Sequence, residues 1–433
     1  MFLYIIESGL KDRGVGFTRG TFGFLQVCKW WNEVAVGFPQ LWVWWASGAF
    51  KAWELFNARS KGAPIFLTWG FWCTQALARN DVLEDPTIPG RIRTLDFGGT
   101  NDQMEDLLSA FGSSRSSNAS SIRLHVTPHD GRGPRKHTTA FLSLSFPKLS
   151  KLDISNSLPS SSSRIFTTSN LVSLRLKSFY SDESRYSRSQ FSKILQCHPN
   201  LQELHLWQGG MPWIKPSEAL IPVVLPGLVD LQLYGTEAVI AGFADLLSTS
   251  SPLHGVIIDF KSDFTTTVLA LANAVERILT LYYGRQGLDY PHMADHLTIS
   301  SDSGQRSLRF NTMSRSTSAS HPTSNLELQF GGADDMLVEK ICLLFPLDRV
   351  VGFTAIGLSL LRDRYHEIFK KMEALLHLRL DKMDPGPVMD ALGFCDRIEG
   401  VHDETVETLS NYLHTHSRGT QVSHPQPPIV GAQ

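Results

Sequence analysis

The stretch His198–Gln208, HPNLQELHLWQ, decides how this chain is read. Leu204 and Leu206 alternate with polar neighbours, the period of a strand with one buried side. Leu201 stands three residues before Leu204, and His-Pro-Asn ahead of it supplies turn residues. The arrangement recurs in both directions. Upstream it appears in RTLDFGG (Leu95, Phe97), IRLHV (Leu124, Val126), FPKLSKLDIS (Leu149, Leu152, Ile154) and SNLVSLRLKS (Leu171, Leu174, Leu176). Downstream it appears in LPGLVDLQLYG (Leu228, Leu231, Leu233), NLELQFGG (Leu326, Leu328, Phe330) and MEALLHLRLDK (Leu375, Leu378, Leu380).

Taking the residue between each apolar pair, the positions run 96, 125, 153, 175, 205 and 232, at gaps of 29, 28, 22, 30 and 27 residues. An LxxLxL core at this period is the signature of leucine-rich repeats, a short strand followed by a helix. One repeat cannot bury its apolar side alone, so neighbours must stack into a continuous core. MEDLLSAF, SQFSKILQC, AVIAGFADLLS and DMLVEKICLLF, between the pulses, carry apolar residues at three- and four-residue spacings and predict helices. LDFGGTNDQMEDLL and LQFGGADDMLVEKI share a joint that reads as a strand, a Gly-Gly turn and an Asn/Asp helix cap. LTISSDSGQRSLRF predicts a β-hairpin turning at Ser303-Gly304.

The front of the chain differs. Eight of the ten tryptophans lie between Trp30 and Trp72. In GFLQVCKWWNEVA, residues Phe24, Val27, Cys28 and Trp31 fall on one face of a predicted helix, and Gly37 and Pro39 end it. Trp42, Trp44, Trp45, Trp69 and Trp72 are expected to pack as the core of the first repeat, since repeat arrays need an atypical end-cap.

LQVCKWWNEVAVGFPQLWVWW resembles the closing half of an F-box, a Val-Cys-basic-x-Trp helix followed by a Pro-x-Leu-Trp turn. Here those residues are Val27, Cys28, Lys29, Trp31, Pro39, Leu41 and Trp42. With the FPKL and HPNL lead-ins, the whole layout is similar to the F-box/leucine-rich-repeat families of basidiomycete fungi. The Leu-Pro-x-Glu opening of that family is not found ahead of the helix, so the F-box reads as N-terminally truncated or degenerate. The resemblance implies a substrate-recognition subunit of an SCF-type ubiquitin ligase, bound to the ligase's Skp-type adaptor and to an unknown target protein. It assigns Phe24, Leu25, Val27, Cys28 and Trp31 to the adaptor-facing helix. A repeat scaffold that binds a protein partner without any ligase is the alternative.

The expected fold is α/β, an irregular leucine-rich-repeat solenoid with parallel strands on the concave face, helices on the convex face and a small α-helical F-box-like cap. Expected segments are 1–46 (partial F-box), 47–90 (aromatic linker and cap), 91–400 (repeats) and 401–433 (a helix and a disordered tail). The residues between the leucines then form the partner-binding row: Asp96, His125, Asp153, Arg175, His205, Gln232, Gln329 and Arg379. Their mixed charge suits a protein partner, whereas a phosphate backbone calls for a stripe of one sign.

Net charge is −2, which leaves no electrostatic footprint for nucleic acid. Five scattered cysteines without a CxxC pair argue against a disulfide framework or zinc site and for a reducing, cytoplasmic or nuclear setting. The longest uncharged runs contain Pro and Gly and fall short of a bilayer span, so no membrane association is expected. GVGFTRG has one residue too many for a dinucleotide loop, and His292 and His296 in HMADH lack the glutamate of a metalloprotease helix. No catalytic constellation, cofactor or metal is expected.

Overall fold

The structure is a computed structural model that describes residues 28–46, 53–69, 87–112, 118–127, 145–167, 170–178, 186–207, 222–249, 253–260, 268–283, 296–302, 305–311, 325–331, 335–345, 347–358, 360–384 and 386–395. It is a mixed α/β chain in which helices accompany a large, mostly parallel sheet. Two compact units divide it at Asp289/Tyr290. That boundary falls inside the stretch expected to form one array.

In the first unit the strands are β1 (Trp44–Ala46), β2 (Ile65–Trp69), β3 (Ile92–Gly99), β4 (Ser121–Val126), β5 (Lys151–Ser155), β6 (Ser173–Lys177) and β7 (Glu203–Trp207). They continue with β8 (Val223–Val224), β9 (Asp230–Gly235), β10 (Leu247–Ser248) and β11 (Gly255–Phe260). The helices are α1 (Lys29–Gly37), α2 (Trp53–Ser60), α3 (Thr87–Arg91), α4 (Asn101–Gly112), α5 (Arg164–Thr167), α6 (Arg188–Gln196), α7 (Glu237–Ala244) and α8 (Val268–Tyr283). Strands β1 to β7, β9 and β11 pair in parallel in chain order, while β8 and β10 form a separate small pair.

The alternation in sequence is what aligns them. Leu95, Ile122, Leu152, Leu174, Leu204, Leu231 and Val256 are successive register partners. Phe97, Leu124, Ile154, Leu176, Leu206, Leu233 and Ile258 form the next row, and every residue of both rows is at most 2% exposed. Each side chain lies against the same position of its neighbour, so one hydrophobic face is sealed along its length.

The connections repeat as well. In FPKL, HPNL and LPGL, the amide of the last leucine donates to the carbonyl three residues back (3.0, 3.1 and 3.3 Å), with proline at the second position of the turn. At each of five successive joints, one carbonyl then accepts two consecutive amides of the next strand: Ser120, Ser150, Val172, Gln202 and Val229.

Helices α4 and α6 bury Met104, Leu107 and Leu108, and Phe191, Ile194 and Leu195. α4 packs on β3 and β4, and Phe191 meets Phe243 of α7 edge-on at 5.8 Å. Two expectations are corrected here. Gly98 and Gly99 extend β3 instead of turning, and the α4 cap is Thr100, whose amide and hydroxyl exchange bonds with Gln103 (2.9 and 3.4 Å). The helix expected through Ser248 stops at Ala244, because Leu247 and Ser248 leave it to pair with Val223 and Val224.

The second unit holds β12 (His296–Asp302), β13 (Gln305–Asn311), β14 (Asn325–Gly331), β15 (Gly352–Ile356) and β16 (His377–Asp381), with α9 (Asp335–Cys342), α10 (Arg362–Phe369) and α11 (Gly386–Cys395). Its strand order is β14-β13-β12-β15-β16. β12 and β13 form the antiparallel pair read from the sequence, with Asp302 opposite Gln305, while β12, β15 and β16 are parallel. His296 opens a strand, and residues 401–433 lie outside the described residues.

Candidate functional site

Two surfaces of the first unit hold the residues singled out from the sequence. The first is α1. Ala35 is buried, and its carbonyl accepts the indole N–H of Trp42 at 2.7 Å. The Trp42 ring packs edge-on against Phe56 (5.3 Å) and lies under the Arg59 guanidinium (4.4 Å). The Pro39–Trp42 turn therefore clasps the helix from one side, and Trp42 is core, as is Trp69.

Away from that contact α1 presents Trp30 (63% exposed), Val34 (41%) and, just past the helix, Phe38 (40%), spaced four residues apart. The adaptor-facing set read from the sequence is corrected in part. Cys28 is exposed and extended (φ −163°) and precedes the helix, so it does not share a helical face with Trp31. Phe24, Leu25 and Val27 lie outside the described residues, as does the side chain of Trp31. The sequence held a signal for the exposed stripe, because Trp30 and Val34 are four apart, but the adjacent tryptophans made either face admissible.

The second surface is the polar side of the sheet, opposite the leucine rows. Its middle row runs Asp96, Arg123, Asp153, Arg175, His205 and Gln232 in register. His125 is not in that row. It lies two residues further along, beside Gly98 and Ser155. Ile122, Leu124 and Val126 alternate three times, so the local pattern fits two registers, and cross-strand pairing of Ile122 with Leu95 selects the other one. The second unit repeats the correction. Arg379 aligns through Thr354, Thr298 and Arg309 with Glu327, and Gln329 aligns with Ser307.

Charges alternate along the middle row and pair with each other. Arg123 sits between Asp96 (3.5 Å) and Asp153 (3.4 Å). Burial pushes the Asp96 carboxyl above its ordinary range against the pull of Arg123, and Asp153 adds to the rise. Arg175 and Ser173 both donate to Glu203 (3.3 and 2.8 Å). His205, expected on the surface, is only 3% exposed and hydrogen-bonds Asp230 at 3.0 Å. Beyond it stand Trp207, with the Lys177 ammonium 5.1 Å over its ring, and Tyr234, its register partner.

A cavity of about 230 Å³ between α7, β10 and α8 is lined by Leu247, Ser248, Thr249, Thr280 and the Asp245–Arg277 ion pair, with no nucleophile–base pair in its wall. Among the described residues no group of His, Cys, Asp and Glu is arranged to hold a metal. None of the described helices is long and apolar enough to cross a membrane.

The fold and the two surfaces define a mixed α/β protein with a mostly parallel sheet, a polar sheet face and a separate aromatic helix face. No family model matches the sequence, and no curated protein is significantly similar to it.

Proposed function

We propose that this chain is a non-catalytic substrate-recognition subunit of an SCF-type ubiquitin ligase, built as a degenerate F-box helix followed by leucine-rich repeats. The observation that carries this reading is the chain order of its two faces. A helix clasped by a Pro-x-Leu-Trp turn and displaying Trp30, Val34 and Phe38 is followed by in-register leucine strands whose other side is polar. The repeat reading draws further support from the recurring proline turns and the shared-carbonyl joints.

In this scheme the Skp-type adaptor docks on the α1 region and the target lies on the polar sheet face. Bridging raises the effective concentration of target near the ligase, so no chemistry is required of the chain itself. Contiguous exposed apolar surface on a helix is a mark of a partner site.

Size-exclusion chromatography of the full chain with purified Skp-type adaptor tests the proposal. Co-elution is expected, with loss in Trp30→Asp/Val34→Asp, and likewise in Val27→Asp or Trp31→Asp. Separate elution of the intact wild-type chain would leave the second reading, a protein-binding repeat scaffold without a ligase. That reading is favoured by a specific feature: the polar sheet face is built from residues of β3 to β7 and β9, none of which belongs to α1.

A further inference from the structure

We infer that the β7–β9 part of the polar face is where the partner is anchored, and that it takes a cationic side chain, an arginine or lysine of a protein segment laid across these strands. This inference rests on the reading of the sheet face as the target surface and names the chemistry of what binds there.

Trp207 and Tyr234 are register partners on adjacent parallel strands, both half-exposed, while Leu206 and Leu233 seal the opposite side of the same strands. Half-exposed paired aromatics on a rigid sheet are the type of residue on which interfaces concentrate their energy. The indole face is also electron-rich, and in the structure it already holds one cation, the Lys177 ammonium.

Charge complementarity fixes the sign of the partner. At the β3–β5 end of the face, Arg123 is shared by Asp96 and Asp153. Glu203 has Arg175 for its counter-ion. Asp230 is different. Its donors among the described residues are the His205 ring (3.0 Å) and the Gln232 amide (3.5 Å), with no lysine or arginine within ion-pair distance. The polar-face positions of β7 and β9 are Glu203, His205, Trp207, Asp230, Gln232 and Tyr234, two carboxylates, a buried histidine and the Trp and Tyr rings, without a lysine or arginine. A guanidinium or ammonium placed there meets the Trp207 and Tyr234 rings and, in Asp230, a carboxylate with no Lys or Arg partner among the described residues. An incoming carboxylate meets two like charges on these strands and no lysine or arginine of β7 or β9.

Fluorescence anisotropy with the full chain and a short labelled peptide of alternating arginine and glycine tests this, beside a glutamate–glycine peptide of equal length. The arginine peptide is expected to bind and to weaken as salt is raised, and the glutamate peptide not to bind. Asp230→Asn and Trp207→Ala are each expected to weaken binding about fivefold to tenfold. Asp106→Asn, an exposed acid on α4, is expected to leave it unchanged. The two-peptide comparison on wild-type protein decides the matter even where a variant fails to fold. Equal binding of both peptides, tighter binding of the glutamate peptide, unchanged affinity in Asp230→Asn and Trp207→Ala, or no binding to the full chain because its own segments fill the shelf would each overturn the inference. None of these results bears on adaptor binding, which is read separately by co-elution.

Discussion

His198, the first residue of the HPNL turn, is fully buried, and its ring nitrogens have no hydrogen-bond partner among the described residues. Burial lowers its pKa to about 4, so it is neutral in the folded state at physiological pH. The unfolded chain takes up that proton near pH 6.5. Between pH 6.5 and 4 the unfolded state therefore binds more protons, and stability falls as pH falls through that window. The full effect is about 3 kcal/mol. Urea midpoints measured across the window are expected to show this slope in wild-type protein and a flatter one in His198→Leu. Gly99 is a second residue with a defined consequence. A Cβ there would lie 2.6 Å from Phe97 Cζ and 2.7 Å from Gln103 Oε1. Phe97 is fully buried in the core, and Gln103 is held by the Thr100 cap. Gly99→Ala is expected to destabilise by about 1–3 kcal/mol, read as a lower thermal midpoint.

Individual elements owe their limits to local chemistry. Ser187 and Gln190 form a reciprocal capping box at the start of α6, with bonds of 3.2 and 2.8 Å. Ser187→Ala removes one half of it and is expected to cost about 1 kcal/mol in denaturant unfolding, with no effect on peptide or adaptor binding. The strands depend instead on their neighbours. Leu204 is in register with Leu174 and Leu231, so truncating it opens a cavity against both. Leu204→Ala is expected to cost about 2–5 kcal/mol, several times the cap, by the same measurement.

At the scale of the whole molecule, the two surfaces are built from different residues, so the two proposed roles are separable by mutation. Trp30→Asp/Val34→Asp is expected to abolish co-elution with adaptor while leaving arginine-peptide affinity intact. Asp230→Asn is expected to do the reverse. A double-mutant comparison in which each change weakened both interactions would show one shared surface and sink the bridging scheme.

The sequence by itself determined which leucines go inside and where the leucine-bearing strands and the helices between them lie. Period-two leucines placed the strands, three- and four-residue spacings placed α4 and α6, and Gly37 with Pro39 ended α1. These signals are local, because alternation and helical spacing are properties of a few consecutive residues. Tertiary structure alone decided the register of IRLHV and NLELQF, and so put Arg123 and Glu327 where His125 and Gln329 were expected. It also decided that His205 is buried against Asp230 and that α1 turns Trp30, Val34 and Phe38 outward. Three alternating apolar residues satisfy two registers equally well, and a helix with adjacent tryptophans has two apolar faces. Only the neighbouring strand or turn, brought close by folding, makes one of them lower in free energy.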